Sequence, residues 1–395
     1  MVAVGAMAPA QALQPARIPA RGFIPALPTL SPRMLVPSRV RTLPTFPFDA
    51  RRRHAFYFAR NAVWHGVRLL GLADQEVLVP AYHHGVEIQA LLHAGCTLRW
   101  VRVDGQMRLD LEDLAAQIGP RTRALYVIHY AGFPQPMEPI LALARRHGLR
   151  VIEDCALALL SSDGTEPLGA RGDLGVFCLY KTLPVPNGGL LVVNGTLPEL
   201  AQAARPAPLA STLSHAASSL LAHAALRLGE PGQALRAMVQ QAGRALRRAP
   251  ALRPVSTGTR WFDPAQVDLG MSALSGLILG RLDHPSIVAA RRRNYFLLLS
   301  RLRDAAPPIF ATLPPGVCPL FYPLLCIDKL RLQRRLAARG VETVDFWSSG
   351  HPSCPVEQFP EVELLRRRVL ELPIHQDLGP EEMAALARSV EECLP

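Results

Sequence analysis

Residues 124–155 read ALYVIHYAGFPQPMEPILALARRHGLRVIEDC. Two short apolar runs, at 124–130 and 149–155, flank a stretch with helical spacing that has Pro139 in its first turn and Gly148 at its end. A proline in the first turn and a glycine after the last turn are typical of the two ends of an α-helix. The stretch therefore predicts a strand–helix–strand unit whose two strands are parallel.

Strand-like and helix-like stretches alternate from about residue 57 onward. The other apolar stretches with strand character read EVLVPAY (76–82), TLRWVRV (97–103), GVFCLY (175–180) and GGLLVV (188–193). Strands that are almost continuously apolar indicate a mainly parallel sheet that helices bury on both faces. We therefore predict the α/β class, with a large domain built on such a sheet.

The pattern changes after residue 200. The Ala-, Leu- and Arg-rich residues that follow predict helices near 211–228 and 232–248, and MSALSGLILGRLD running into IVAARRRNYFLLLSRLR (271–303) predicts one long helix. The predicted parts are a basic, Pro-rich N-terminal extension (1–53), a large α/β domain (54–200), a basic helical insert (201–264), and a linking helix with a small C-terminal α+β domain (265–395).

The formal net charge of +11 is concentrated in two segments of the 395-residue chain. Residues 1–53 and 201–260 each hold eight Arg against one acidic residue, whereas the remainder holds 27 basic and 30 acidic residues. This distribution argues against a general nucleic-acid-binding protein. The basic, amphipathic 201–260 segment is compatible with a weak contact to an anionic membrane surface or polyanion, but a helical lid or a dimer contact is the preferred interpretation.

The seven cysteines include no CxxC pair, and several lie in apolar runs. We read them as reduced, mostly buried thiols of a cytoplasmic protein, and no metal site is suggested. The N-terminus lacks the apolar core of a secretory signal, which favours a flexible extension and leaves an organelle transit peptide as the alternative. No stretch has the composition of a clean transmembrane helix.

Two charged residues stand where strands of the predicted sheet end. Asp154 closes the strand VIED, and Lys181, one of two lysines in the chain, follows the strand GVFCLY. A lysine amine and a carboxylate at the carboxyl ends of parallel strands suit pyridoxal phosphate (PLP), because the amine forms an imine with the aldehyde and the carboxylate keeps the pyridine nitrogen protonated. A buried ion pair with an exposed lysine is the alternative explanation.

Ordered motifs extend this observation over most of the chain. They read ILALARRHGLRVIEDCA (140–156), GARGDLGVFCLYKTLPVPNGGLLV (169–192), MSALSGLILGRLD (271–283) and LELPIHQDLGPEEMAAL (370–386). In order, spacing and residues the chain resembles the DegT/DnrJ/StrS family of PLP-dependent aminotransferases, which act mostly on nucleotide-linked keto sugars. The resemblance covers about residues 55–195 and 265–393.

The resemblance implies PLP-dependent transferase fold type I and a homodimer with active sites at the interface. It implies transfer of an amino group from an amino-acid donor, Glu or Gln, to a keto or aldehyde acceptor such as a nucleotide-linked keto sugar. Lys181 would be the Schiff-base lysine, Asp154 the partner of the pyridine nitrogen and His84 the residue stacked on the ring. The implied cofactor-binding residues are Arg60, Asn61, Ala62, His84, Asp154, Cys178 and Lys181.

Several positions depart from the family pattern. Leu157 replaces a glutamine, Cys178 replaces a serine that contacts the phosphate, and Asp268 replaces an asparagine that reaches the neighbouring subunit's phosphate. These departures motivate a second hypothesis, a catalytically degenerate PLP-fold protein with a regulatory or binding role. His129 matches the family's strand-end histidine, and a satisfied core histidine explains it equally well.

Overall fold

A computed structural model describes residues 22–36, 45–200, 205–246, 261–345 and 347–394 of the protein. The strands are β1 (Arg53–Phe56), β2 (Glu76–Pro80), β3 (Thr97–Val101), β4 (Thr122–Ile128), β5 (Arg150–Asp154), β6 (Leu174–Cys178), β7 (Gly189–Val193), β8 (Phe321–Leu325) and β9 (Val369–Pro373). The helices are α1 (Ala59–Leu69), α2 (Val86–His93), α3 (Leu111–Gln117), α4 (Met137–His147), α5 (Leu179–Thr182), α6 (Leu209–Leu228), α7 (Glu230–Leu246), α8 (Ala273–Leu279), α9 (His284–Leu302), α10 (Lys329–Ala338), α11 (Pro360–Arg368) and α12 (Pro380–Cys393).

Seven strands form one sheet in the order β1-β7-β6-β5-β4-β2-β3. Strands β2 to β6 are parallel to one another, β7 is antiparallel to β6, and β1 is antiparallel to β7 at the edge of the sheet. Every residue of β2, β6 and β7 is buried, in keeping with the apolar sequences of these strands. The predicted large, mainly parallel sheet is confirmed.

Local sequence signals place the ends of the helices around this sheet. Asp110 caps α3 by accepting hydrogen bonds from the backbone N–H groups of Glu112 and Asp113. Gly148 ends α4 in the left-handed conformation, with a φ of 64°. That conformation has a low cost for glycine because glycine has no Cβ, so the chain turns there into β5.

The C-terminal part of the chain forms a second, smaller layer. Strands β8 and β9 pair in antiparallel fashion, and helices α9, α10 and α12 pack on or beside them. The prediction of one long helix over 271–303 is wrong, because the chain breaks between α8 and α9. Gly280 ends α8, and the Asp283 side chain accepts a hydrogen bond from Ser286 N–H and starts a new helix with Pro285 in its first turn.

The two basic segments are partly described. Helices α6 and α7 form a hairpin around Gly229 that matches the two helices predicted for the insert, whereas residues 247–260 lie outside the described residues. Residues 22–36 are not a flexible extension, because Ile24 pairs with Val341 and exchanges backbone hydrogen bonds with Gly340 and Glu342. The rest of the predicted extension up to residue 44 lies outside the described residues. Among the helices that the structure describes, none has the length and apolar character needed to cross a membrane.

Candidate active site

A cavity of about 470 Å³ opens at the carboxyl ends of β4, β5 and β6. Five of the seven residues implied by the family resemblance line it, and these are Arg60, His84, Asp154, Cys178 and Lys181. The other two face elsewhere: the Asn61 side chain donates a hydrogen bond to the carbonyl oxygen of Gln266 at 2.8 Å, and Ala62 is buried in the core. Their side chains therefore take no part in the cavity wall.

The Asp154 carboxylate stands at the centre of the sheet edge. It ends β5, opposite Ile128 of β4 and Val176 of β6, and it is 6% exposed. One oxygen accepts a hydrogen bond from the Tyr126 hydroxyl at 2.7 Å and the other accepts one from Ala156 N–H at 2.8 Å. These donors stabilise the carboxylate and fix its direction, because a buried carboxylate without hydrogen bonds would be costly.

Lys181 reaches the same cavity from the short helix α5, which begins directly after β6. A tight return loop then leads into β7, where Gly188 has a φ of 147°. A Cβ on Gly189 would lie 2.4 Å from the backbone of Phe58 and Ala59, so only glycine lets β7 pass the start of α1 this closely. This packing brings the lysine and the start of α1 to one cavity.

Arg60 and α1 make one side of the cavity cationic. The helix begins at Ala59 without a side-chain cap, and its first N–H groups have no acceptor within the helix. The Arg60 guanidinium lies 3.7 Å from the centre of the Phe58 ring, and the residue is 7% exposed. Burial lowers the pKa of Arg60, which nevertheless stays charged at neutral pH. A guanidinium beside a helix N-terminus is suited to an anion.

The outer wall consists of residues that the sequence did not single out. Ala26 and Leu27 come from the N-terminal segment, and Thr343, Val344, Asp345 and Trp347 come from the loop between α10 and α11. Asp345 pairs at 2.7 Å with Lys329, which is 3% exposed. A buried lysine as the N-terminal residue of α10 could have indicated an acidic partner, but nothing in the sequence indicated which one.

Two of the family departures lie in the cavity wall and one does not. Leu157 and Cys178 line the cavity, and burial raises the pKa of the Cys178 thiol, which therefore stays uncharged. Asp268 does not line the cavity, and its carboxylate lies 3.3 Å from Nε2 of His65 in α1. The structure does not bring Asp268 together with the other predicted residues.

His129 is a core histidine in the structure. It is fully buried, its Nε2 lies 3.1 Å from the Glu153 carboxylate, and its Nδ1 accepts a hydrogen bond from Gln135 N–H. Glu153 also accepts hydrogen bonds from the backbone N–H groups of Gly169, Arg171 and Gly172. Both ring nitrogens are therefore used in packing the end of β4 against the loop before β6.

Comparison with known proteins identifies the architecture. The model of the DegT/DnrJ/EryC1/StrS aminotransferase family matches residues 59–226. Over these residues the chain is similar to the DegT/DnrJ/EryC1/StrS aminotransferase family. The matched region contains β2 to β7 and all five predicted residues of the cavity wall. The resemblance inferred from the sequence motifs is thereby confirmed.

Individual members of the family are similar over different lengths. A UDP-N-acetyl-3-dehydro-alpha-D-glucosamine 3-aminotransferase from Acidithiobacillus ferrooxidans is 38% identical over 122 residues, which are 30% of this chain and 33% of that protein. A dTDP-4-dehydro-2,3,6-trideoxy-D-glucose 4-aminotransferase from Saccharopolyspora spinosa is 26% identical over 339 residues, 80% of this chain and 77% of that protein. The chain thus matches about a third of the length of the first relative.

Solved structures share the fold over nearly the whole chain. A putative sugar aminotransferase from Streptococcus pneumoniae, in its PLP form, has a TM-score of 0.66 at 14% identity and covers 94% of this chain and 100% of its own. A sugar aminotransferase from Micromonospora echinospora has a TM-score of 0.63 at 19% identity with the same coverage. The predicted fold, a large mainly parallel sheet domain with a small C-terminal domain as in PLP-dependent aminotransferases of fold type I, is confirmed.

Proposed function

We propose that the protein is a PLP-dependent aminotransferase that transfers an amino group from an amino acid, Glu or Gln, to a keto or aldehyde group of a sugar-like acceptor. One observation carries the proposal: Asp154, which ends β5, and Lys181, which follows β6 in α5, line the same cavity. The names of the relatives support a nucleotide-linked keto sugar as the acceptor. Family resemblance further supports a homodimer.

The cavity suits PLP in charge and in size. A volume of about 470 Å³ lies within the range of small-molecule sites. Arg60 and the uncapped start of α1 offer a cationic end for a phosphate, and the buried Asp154 carboxylate offers an anionic group for a protonated ring nitrogen. The amine of Lys181 lines the same space. These residues supply the three groups that the phosphate, the pyridine nitrogen and the aldehyde of the cofactor require.

When bound, PLP supplies an aldehyde that condenses with amines and a ring that withdraws electrons from the neighbouring carbon. The chain would contribute position and proton transfer. Asp154, oriented by Tyr126, would hold a proton on the ring nitrogen, and Arg60 would hold the phosphate end. Lys181, whose amine lies in the same cavity, would be the base that moves the substrate proton. The apolar residues around them, Val63, Ile128 and Leu157, limit the access of water.

The decisive experiment compares the wild-type protein with Lys181→Ala and with Lys329→Ala. The wild type should take up PLP with a long-wavelength absorbance band and lose that band when an amino donor is added. Lys181→Ala should lack the band and show no transamination. Lys329 is buried in a pair with Asp345, so Lys329→Ala tests whether the effect belongs to one lysine. An unchanged spectrum in Lys181→Ala would remove the basis of the proposal.

The departures at Leu157 and Cys178 favour a second candidate, because both lie in the cavity wall. A thiol is a weaker hydrogen-bonding group than a hydroxyl and a leucine offers none, so the site has fewer polar contacts for a cofactor. A PLP-fold protein with a binding or regulatory role would be colourless when purified and would take up no added PLP. The same absorbance measurement on the wild type therefore separates the two candidates.

A further inference from the structure

Glu87 lies in the first turn of α2 and in the wall of the same cavity. Its Oε1 accepts a hydrogen bond from the backbone N–H of His84 at 2.7 Å, and its Oε2 accepts one from the N–H of Gly85 at 3.2 Å. The residue is 7% exposed. One carboxyl group therefore holds both residues that lead into the helix.

These two residues occupy a constrained position. Gly85 precedes α2 with a φ of 112°, in the region that favours glycine, and a Cβ there would lie 3.2 Å from the backbone nitrogen of His351. His84 contributes to the cavity wall beside Asp154 and Lys181. A carboxyl group that reaches back to the N–H groups before a helix fixes the direction of the entering chain. Glu87 thus restrains the backbone segment that carries the His84 side chain.

We propose that Glu87 is a positioning residue, whose carboxyl group holds the His84–Gly85 backbone so that the His84 side chain forms part of the cofactor cavity. The occupant of the cavity rests on the proposed function, whereas the contact itself does not. A neutral amide in place of the carboxyl group would accept at one position only and would turn an N–H donor towards the other backbone N–H. Glutamine therefore keeps the size of Glu87 and removes one of its two hydrogen bonds to the backbone.

Burial and the charges around Glu87 make the strength of its two backbone hydrogen bonds depend on pH. Burial and the neighbouring Asp154 carboxylate raise the pKa of Glu87 to about 7, against the opposing effect of Lys181. The titratable and charged groups that face it from the packed elements are Asp154 of β5, Lys181 of α5, Tyr126 and Tyr130 at the end of β4, and Arg366 of α11. A carboxylate accepts stronger hydrogen bonds than a neutral acid. The hydrogen bonds from the His84 and Gly85 N–H groups to Glu87 should therefore become stronger as the pH rises through about 7.

Hydrogen exchange of the full-length protein without PLP tests the contact directly. Mass spectrometry with fragmentation to single amides gives protection factors for the His84 and Gly85 amides, corrected for intrinsic exchange, from pH 6 to 8. In Glu87→Gln these amides should exchange about tenfold faster or more at pH 8, since a hydrogen bond to a charged group is lost. The pH dependence of protection seen in the wild type should also disappear. Glu112→Gln, an exposed acid in the first turn of α3, should match the wild type.

A second measurement is the dissociation constant for PLP, followed by absorbance over the same pH range. Glu87→Gln should bind PLP more weakly and without the rise in affinity that the wild type shows above pH 7. If the wild type takes up no PLP, the proposed function fails, while the exchange result still decides the role of Glu87. Equal protection of the two amides in wild type and Glu87→Gln overturns the inference. If the variant does not fold, wild-type protection that stays constant from pH 6 to 8 overturns it as well.

Discussion

Replacing Glu371 by glutamine should change how the free energy of unfolding depends on pH. Between pH 5 and pH 8 the wild type should lose more of this free energy than Glu371→Gln. Glu371 lies in β9 with 6% exposure, and its Oε2 has no hydrogen-bond partner among the described residues. Burial and the nearby Asp345 carboxylate raise the pKa of Glu371 to about 8, against the opposing effect of Lys329, which is paired with Asp345. The carboxyl group is therefore neutral in the folded protein at neutral pH.

The sign and size of the effect follow from proton linkage. Below the ordinary pKa of 4.5, both the folded and the unfolded chain carry the proton and Glu371 has no effect. Above it, the unfolded chain releases the proton and the folded chain keeps it until about pH 8, so the free energy of unfolding falls as the pH rises. One pKa unit corresponds to about 1.4 kcal/mol, which gives a loss of about 3 to 4 kcal/mol between pH 5 and pH 8.

Urea denaturation at pH 5 and pH 8 measures this loss. The free energy of unfolding should fall by about 3 to 4 kcal/mol more in the wild type than in Glu371→Gln, because other titrating groups contribute equally to both proteins. Glu361→Gln, an exposed acid of the neighbouring α11, should behave like the wild type. Identical pH dependence in wild type and Glu371→Gln would show that Glu371 is ionised in the folded state, and the reasoning would be wrong.

Two further predictions concern the carboxylates at the end of β5. Asp154→Asn should weaken PLP binding by about 10- to 100-fold, since a charge-assisted contact to the ring nitrogen is lost, and equal affinity in an absorbance titration would contradict this role. Burial alone would raise the pKa of Glu153, but the hydrogen bonds from His129, Gly172 and Gly169 lower it. Ionised Glu153 therefore stabilises the folded protein above the ordinary pKa of 4.5, and this stabilisation is lost on acidification. Glu153→Gln should lower the free energy of unfolding by about 3 kcal/mol at pH 7 and flatten its acid dependence, and a urea titration with no such loss would refute the structural role.

Glu87 and Glu371 are similarly buried, but ionisation has different consequences for the two carboxyl groups. Both carboxyl groups have a raised pKa, to about 7 and about 8. Glu87 holds two backbone N–H groups in the cavity wall, so its ionisation strengthens local contacts. The Oε2 of Glu371 accepts no hydrogen bond from the described residues, and the cost of burying its charge outweighs the attraction of Lys329. The first therefore bears on cofactor binding and the second on stability.

Much of the fold could be predicted from sequence because its signals are local. Apolar runs of five to seven residues and helix-ending glycines such as Gly148 are read from neighbouring positions, and the sheet follows from their alternation. The break between α8 and α9 was missed, since the apolar spacing continues across Gly280 and only the Asp283 cap interrupts it. The contact of Asp268 with His65 was not predicted, because the family pattern relates this position only to the neighbouring subunit.

The parallel sheet, Asp154 at the end of β5 and Lys181 shortly after β6 could be predicted from the sequence alone. Their chemistry depends on residue type and on position relative to a strand. Both can be recognised from neighbouring residues in the sequence. Tertiary structure decided the rest of the cavity: Ala26 lies in its outer wall and its N–H group contacts the Glu342 carboxylate, 316 positions away in the chain. It also decided that Glu87 faces the cavity as a buried carboxyl group. Such contacts depend on how distant segments pack, and packing against a remote partner leaves no periodic signal in either segment.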